Sequence, residues 1–161
     1  MSRALHIVVA FASLVLAAGC GEASGGGVAS LEVGTGEWQF VPLLDGDEVT
    51  LAAGSQGGFH IWTSVRGAGM EPRRVRLEIT TTTEGSPFAP EHSDVMVDML
   101  PADGMSAFVG WPAQLLHPGC ANGQLVHLEA RITDRAGVTG HDERDVLVRW
   151  TPPDGFDASC R

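Results

Sequence analysis

A short segment that contains glutamine, histidine and tryptophan has the residue types of a binding site. Gln56 is followed by two glycines, and His60 and Trp62 come next with one residue between them. Residues two apart in a strand point to the same face, so His60 and Trp62 would lie opposite the core-facing Phe59 and Ile61. An amide, an imidazole and an indole on one surface can bind a small ligand or a partner protein. We predict this segment as the candidate binding site.

The same side chains also have a purely structural interpretation. A neighbouring loop or strand edge would then cover Trp62, because a large aromatic ring is seldom left in water. The imidazole of His60 would find a hydrogen-bond partner inside the domain. The sequence leaves both interpretations open.

Metal binding requires several ligands that converge. The other histidines of the mature chain, at positions 92, 117, 127 and 141, show neither His-x-His nor His-x3-His spacing. Met96, Met99 and Met105 near His92 are ligand types that suit Cu(I), although methionine in strands usually fills a core. We therefore predict no bound metal and no cofactor, and keep a copper-like site around His60 as the alternative.

The first cysteine follows an apolar segment at the start of the chain. Arg3 supplies a positive charge, an apolar run extends from Ile7 to Ala18, and small residues precede Cys20. This layout resembles a bacterial lipoprotein signal. The resemblance implies removal of residues 1–19 and a diacylglycerol thioether on Cys20, which anchors the protein to the membrane. Neither Gly21 nor Glu22 is the aspartate that retains such proteins at the inner membrane, so it further implies the outer membrane of the cell envelope.

The other two cysteines are expected to pair. A protein exported with a lipid on Cys20 meets an oxidising compartment, where Cys120 and Cys160 would form a disulfide. Such a bridge closes a loop of about 40 residues and contributes roughly 4 kcal/mol on the chain-entropy model. Thiol ligation of copper is the alternative for this pair.

Net charge and missing motifs exclude several classes of function. The full chain has a formal net charge of -10 and lacks lysine, so it would repel nucleic-acid backbones and anionic headgroups. The sequence contains no Gly-x-Ser-x-Gly, no Gly-x4-Gly-Lys and no His-Glu-x2-His motif. We predict neither nucleic-acid binding nor enzymatic activity.

Alternation of apolar and polar residues indicates an all-β domain that positions these side chains. Apolar residues alternate in the segments 74–83, 124–133 and 145–151. Further strands are predicted at residues 37–41, 48–52, 58–66, 94–99 and 105–109. The turn signal Asp134-Arg135-Ala136-Gly137 indicates that the last two strands form a hairpin with a long connection.

The segment from Ile132 to Gly137, followed by Asp145-Val146-Leu147-Val148, resembles the closing hairpin of bacterial immunoglobulin-like and fibronectin-like domains. We therefore predict an antiparallel immunoglobulin-like β-sandwich of seven to nine strands over residues 31–161. Residues 1–19 are the predicted signal peptide. Residues 20–30 are a predicted Gly/Ser-rich flexible tether that begins with the lipidated cysteine.

These features favour a lipid-anchored protein of the cell envelope that acts without catalysis, as an interaction or structural module. Its expected partners are the membrane, through the N-terminal lipid, and an envelope protein. The alternative is a small-ligand or metal-binding protein centred on Gln56, His60 and Trp62. The segment Gln56-Gly57-Gly58-Phe59-His60 is similar to Gln-Gly-Gly-x-His segments of bacterial envelope lipoproteins, but that similarity implies no activity.

Overall fold

Two β-sheets pack face to face in the computed structural model, which describes residues 27–54, 58–156 and 159–160. The strands of the described part are β1 (Ser30–Thr35), β2 (Val41–Pro42), β3 (Glu48–Thr50), β4 (Ala52–Ala53), β5 (Phe59–Ala68), β6 (Val75–Thr83), β7 (Glu91–Val97), β8 (Leu100–Ala102), β9 (Met105–Gln114), β10 (Leu125–Thr133) and β11 (Thr139–Arg149). One short helix, α1 (Pro118–Ala121), precedes β10. The predicted all-β sandwich is confirmed.

The two sheets have different strand orders. The first sheet runs β2-β1-β5-β9-β8, with β4 paired to the start of β5, and the second runs β3-β11-β10-β6-β7. Within the described strands every pairing is antiparallel except that of β3 with β11. The sandwich was predicted to be antiparallel, and this one pairing departs from the prediction. The short parallel strand β3 pairs with residues 147–149 at the outer edge of β11.

The core lies between the sheets and follows the alternation of the sequence. In β6, Val75, Leu77 and Ile79 are fully buried, while Arg76 between them is exposed. Strands β10 and β11 add buried rows of their own, namely Val126, Leu128, Ala130, Ile132, Val146 and Val148. Burying an apolar side chain of this size contributes about 1.5–3 kcal/mol, so these rows hold the two sheets together.

The N-terminal part of the sandwich differs from the prediction. The strand predicted at residues 37–41 is wrong, because residues 36–40 form a loop, and the unpredicted strand β1 lies before it. Gly34 interrupts the alternation of β1, since a Cβ there would come within 2.5 Å of the carbonyl oxygen of Val41. Backbone hydrogen bonds of Gly27 and Ala29 with Thr139 precede β1, so pairing begins inside the segment assigned to the tether.

The hairpin of β10 and β11 has a short connection, and the predicted long one is wrong. Only residues 134–138 separate the two strands. The sequence hid the first half of β11 because its inward positions are not apolar. There Asp142 accepts a hydrogen bond from the backbone N–H of Val33 at 2.8 Å and pairs with Arg144 at 2.7 Å. Arg144 also donates to the carbonyl of Leu43, so these polar groups join β11 to the first sheet.

A disulfide and an aromatic cluster close one end of the sandwich. The sulfur atoms of Cys120 and Cys160 lie 1.97 Å apart, as predicted for a disulfide. The rings of Phe59, Trp150 and Phe156 pack edge to face, with centroids 4.9–5.4 Å apart. The bridge therefore holds the C-terminal tail against the start of β5.

Asp134 organises the opposite end of the sandwich. Its carboxylate accepts hydrogen bonds from the backbone N–H groups of Glu71 at 3.0 Å, Ala136 at 2.8 Å and Val138 at 2.9 Å. These bonds, that of Glu71 above all, hold the pKa of Asp134 below its usual range. The side chain thus ties the hairpin connection to the loop between β5 and β6.

Substitution of Asp134 tests this contribution. We expect Asp134→Ala to lower the free energy of unfolding at pH 7 by about 2–3 kcal/mol, because three backbone donors lose a charged acceptor. Asp134→Asn should lose less, since its amide oxygen still accepts. Because the folded pKa is lowered, this stabilisation is present above the unfolded pKa of about 3.9 and is lost as the pH falls through the folded value.

Urea unfolding of the three proteins between pH 7 and pH 2 measures this effect. The difference between wild type and Asp134→Asn should shrink toward low pH. Equal stability of wild type and Asp134→Ala at pH 7 would contradict the role given to this carboxylate.

Candidate functional site

His60 and Trp62 lie on the outer face of β5, at the strand's N-terminal end. Ile61 and Val65 point inward and are completely buried in the core. Strand β5 pairs with β9 on one side, and the register sets His60 opposite Gln114 and Trp62 opposite Pro112. Two neighbouring strands therefore present four adjacent side chains on one surface.

An open groove of about 530 Å³ is formed around these four residues. Gly54 and Gly58 border it on the side of β4, and Leu116, which is 62% exposed, borders it beyond the end of β9. We call this feature the His60 groove. Its volume lies within the range of about 300–1,000 Å³ that small-ligand sites occupy.

The imidazole of His60 is enclosed but lacks a polar partner. The residue is 8% exposed, and its Nε2 has no hydrogen-bond partner among the described residues. Its ring meets that of Trp62 in a T-shaped contact, with centroids 4.4 Å apart. Burial lowers the pKa of His60, against a smaller opposing effect of the negative charge of Glu37. A neutral imidazole therefore lines the groove, and its unused Nε2 is buried.

Ser64 is the next outward residue of β5, and it has the purely structural role that the sequence left open for His60 and Trp62. Ser64 is buried, and its hydroxyl donates to the carbonyl of Gly36 at 2.9 Å and accepts from the N–H of Gly110 at 3.1 Å. The loop of residues 36–40 thus covers Ser64. A Cβ at Gly110, where φ is +79°, would lie 2.4 Å from the carbonyl oxygen of Glu37, so glycine permits this close approach. His60 and Trp62 instead line the groove beside it.

A second hollow of about 410 Å³ adjoins the His60 groove. The two share Gln114 and Leu116, and the second is also lined by Phe88 and His117. The rings of Phe88 and His117 are stacked, with an interplanar angle of 5°. The two hollows therefore adjoin at Gln114 and Leu116, and an aromatic pair lines each of them.

The described residues do not form a metal centre. Within residues 27–54, 58–156 and 159–160, no group of three His, Cys, Asp or Glu side chains could hold a metal ion. Met99 lies in the core while Met96 is exposed on the outer face, so they do not meet as copper ligands. The Nδ1 of His92 instead contacts the hydroxyl oxygen of Thr80 at 3.2 Å.

Strand pairing also creates a row of histidines and carboxylates that the sequence did not reveal. His127 contacts Asp145 at 2.9 Å, and His141 contacts Glu129 at 3.1 Å, all on the outer face of the second sheet. These residues are 12–18 positions apart and meet only because β10 and β11 pair. Exposed pairs of this kind contribute little to stability.

Two predicted site residues lie outside the described part of the chain. Gln56 falls in the gap between Gly54 and Gly58, and Cys20 precedes Gly27. The binding role of Gln56 and the lipidation of Cys20 therefore stay predictions. None of the described residues forms a helix with the length and hydropathy needed to cross a membrane.

Comparison with protein-family models, with curated proteins and with solved structures gives no match. The functional argument therefore rests on the geometry of the sandwich and of the His60 groove. The predicted immunoglobulin-like relationship stays a resemblance in the closing hairpin.

His60→Leu distinguishes a binding role from a structural role of the imidazole. An enclosed polar atom without a partner costs about 1–3 kcal/mol, so its replacement by an apolar side chain should raise the free energy of unfolding at pH 7. The folded pKa of His60 is lowered, so wild type should also lose stability as the pH falls below about 6.5, where the unfolded imidazole is protonated first. His60→Leu should lack that part of the pH dependence.

Ser64→Ala is the matched control on the same face of β5. It removes a hydroxyl that makes two hydrogen bonds, and should lower the free energy of unfolding by about 1–2 kcal/mol. Urea unfolding at pH 7 and pH 5 compares the variants. If His60→Leu destabilises the protein as much as Ser64→Ala does, His60 is part of the structural framework and the groove loses its main support.

Proposed function

We propose that this protein is a non-catalytic binding module, anchored to the cell envelope by a lipid on Cys20, and that it holds its ligand in the His60 groove. The observation that carries the proposal is the enclosed Nε2 of His60, which lacks a hydrogen-bond partner. Among the described residues, the other buried side-chain nitrogen and oxygen atoms have one. Folded proteins rarely leave such an atom unpaired. Nε2 is itself buried, so a ligand would supply the missing hydrogen bond after a movement that exposes this atom.

The residues that line the groove support binding rather than catalysis. Among the described lining residues there is no carboxylate, hydroxyl, thiol or amine side chain. None of these described lining residues is a nucleophile that His60 could activate or a carboxylate that could orient its ring. We do not propose the copper alternative, because the described residues contain no group of three His, Cys, Asp or Glu side chains that could hold a metal ion.

The start of the described chain lies at the end of the sandwich opposite the groove. Ser30, near the start of the described chain, pairs with Ala68 at the far end of β5 from His60. Eight residues of strand separate His60 from Ala68, which corresponds to about 26 Å. A lipid attached upstream of Gly27 would therefore leave the groove open to the surrounding compartment.

The lipoprotein-like segment supports the anchor, and the disulfide agrees with an oxidising compartment. By the resemblance described above, we propose the outer membrane as the site of attachment. The lipid is then the protein's contact with the membrane, and an envelope component is its partner at the groove.

Metabolic labelling tests the anchor. Cells that express the full chain with radiolabelled palmitate should incorporate label into the wild-type protein and not into Cys20→Ala, because only the thiol of Cys20 would carry the thioether lipid. Cys160→Ser is the control for thiol loss in general and should keep the label. Label retained in Cys20→Ala would refute the anchor.

Nuclear magnetic resonance tests the binding function. Full-length protein in detergent micelles is titrated with three classes of probe: neutral trisaccharides, amidated apolar tripeptides and decanoate. We expect at least one class to bind saturably and to shift the indole resonance of Trp62. Trp62→Ala should weaken that binding at least about tenfold, whereas Leu44→Ala, which changes an exposed side chain outside the groove, should not. If no class binds saturably, the proposed function is wrong.

A further inference from the structure

We propose that the ligand of the His60 groove is a neutral saccharide of at least two pyranose rings, which extends from Trp62 toward Phe88 and His117. This inference rests on the proposed function and goes beyond it by naming the ligand class.

The charges around the groove exclude an anionic ligand. The described lining residues carry no formal charge, since the imidazole of His60 is held neutral by burial. Two acidic groups lie close to this surface. Glu37 acts electrostatically on His60, and Glu91 lines the second hollow, where its carboxylate accepts a hydrogen bond from the backbone N–H of Leu116. Without a cation to pair with them, phosphate and carboxylate groups would lose hydration and meet repulsion.

The side chains opposite one another on β5 and β9 match the two kinds of surface on a sugar ring. Trp62 and Pro112 form an apolar cross-strand pair, against which the C–H face of a pyranose can pack. His60 and Gln114 form the adjacent polar pair. The amide of Gln114 both donates and accepts, as hydroxyl groups require, and the imidazole of His60, whose unpaired Nε2 is buried, lies beside it. Directly opposite residues have Cβ atoms about 5 Å apart, which is close to the width of one ring.

The openness of the groove favours a polar ligand over an acyl chain or an apolar side chain. Gly58 is exposed, and a Cβ built there would meet no atom within 4 Å. Gln114 and Leu116 are exposed as well. An apolar ligand would leave much of its surface in water here and so gain little from burial. A saccharide has no such disadvantage, because its outward hydroxyl groups would stay hydrated.

The continuity with the second hollow sets the length of the ligand. The stacked rings of Phe88 and His117 line the second hollow together with Leu116 and supply a second aromatic surface. One pyranose ring can occupy the His60 groove, while the next crosses Gln114 and Leu116, which line both hollows. A chain of linked rings can use both surfaces, and a monosaccharide can use only one.

Calorimetric titration of the full-length protein in micelles tests this inference. The probes are cellotriose and triacetylchitotriose, with glucose, N-acetylglucosamine and the anionic trimer of galacturonic acid as comparisons. We expect at least one neutral trisaccharide to bind at least about tenfold more tightly than its monosaccharide, and the anionic trimer not to bind. Trp62→Ala and Gln114→Ala should each weaken trisaccharide binding about tenfold, whereas Leu44→Ala should leave it unchanged. Gln114 is exposed, so its substitution spares the core.

Two results would overturn the saccharide assignment while the proposed function stands. One is saturable binding of the amidated tripeptides or of decanoate, lost in Trp62→Ala, with no binding of either neutral trisaccharide. The other is trisaccharide binding that neither Trp62→Ala nor Gln114→Ala weakens, when another probe class does require Trp62. Absence of saturable binding by every probe would remove the saccharide assignment and the binding function together.

Discussion

The burial of Ile61 and Val65 on the inner face of β5 determines how the rest of the domain is arranged. Side chains alternate strictly along a strand, so this burial forces His60 and Trp62 to the outer face. Because β5 pairs with both β1 and β9, a slip by one residue would place a tryptophan and a histidine in the core and break both pairings. The groove and the sandwich therefore depend on one register.

Polar groups inside the domain follow two patterns. Asp134, Asp142 and Ser64 are each hydrogen-bonded to backbone groups, and they join loops or sheets that would otherwise separate. The enclosed nitrogen of His60 has no such partner in the described structure, although it lies on the same strand as Ser64. Stability alone gives no reason for this difference, because an apolar residue would pack there at lower cost. The proposed binding role of the groove would give one.

Much of the second sheet could be predicted from the sequence, and less of the first. Alternating apolar residues identified β6, β10 and the end of β11, since each has one dry and one wet face. The start of β11 was not predicted because Asp142 and Arg144 occupy its inward positions. Both are hydrogen-bonded to backbone groups more than 100 residues away in the sequence. Strand β1 was not predicted because Gly34 interrupts its alternation of apolar and polar residues. The periodicity of a short segment cannot show hydrogen-bond partners that come from distant parts of the chain.

The sequence by itself determined the all-β class, the pairing of Cys120 with Cys160, and the choice of His60 and Trp62 as candidates, because period-two alternation and cysteine number are local or compositional properties. Only the tertiary structure decided that Pro112 and Gln114 lie beside them and that Ser64 is covered while His60 is unpartnered. These facts arise from the pairing of strands about fifty residues apart. The register of that pairing depends on how both sheets fill a common core, which no single segment specifies.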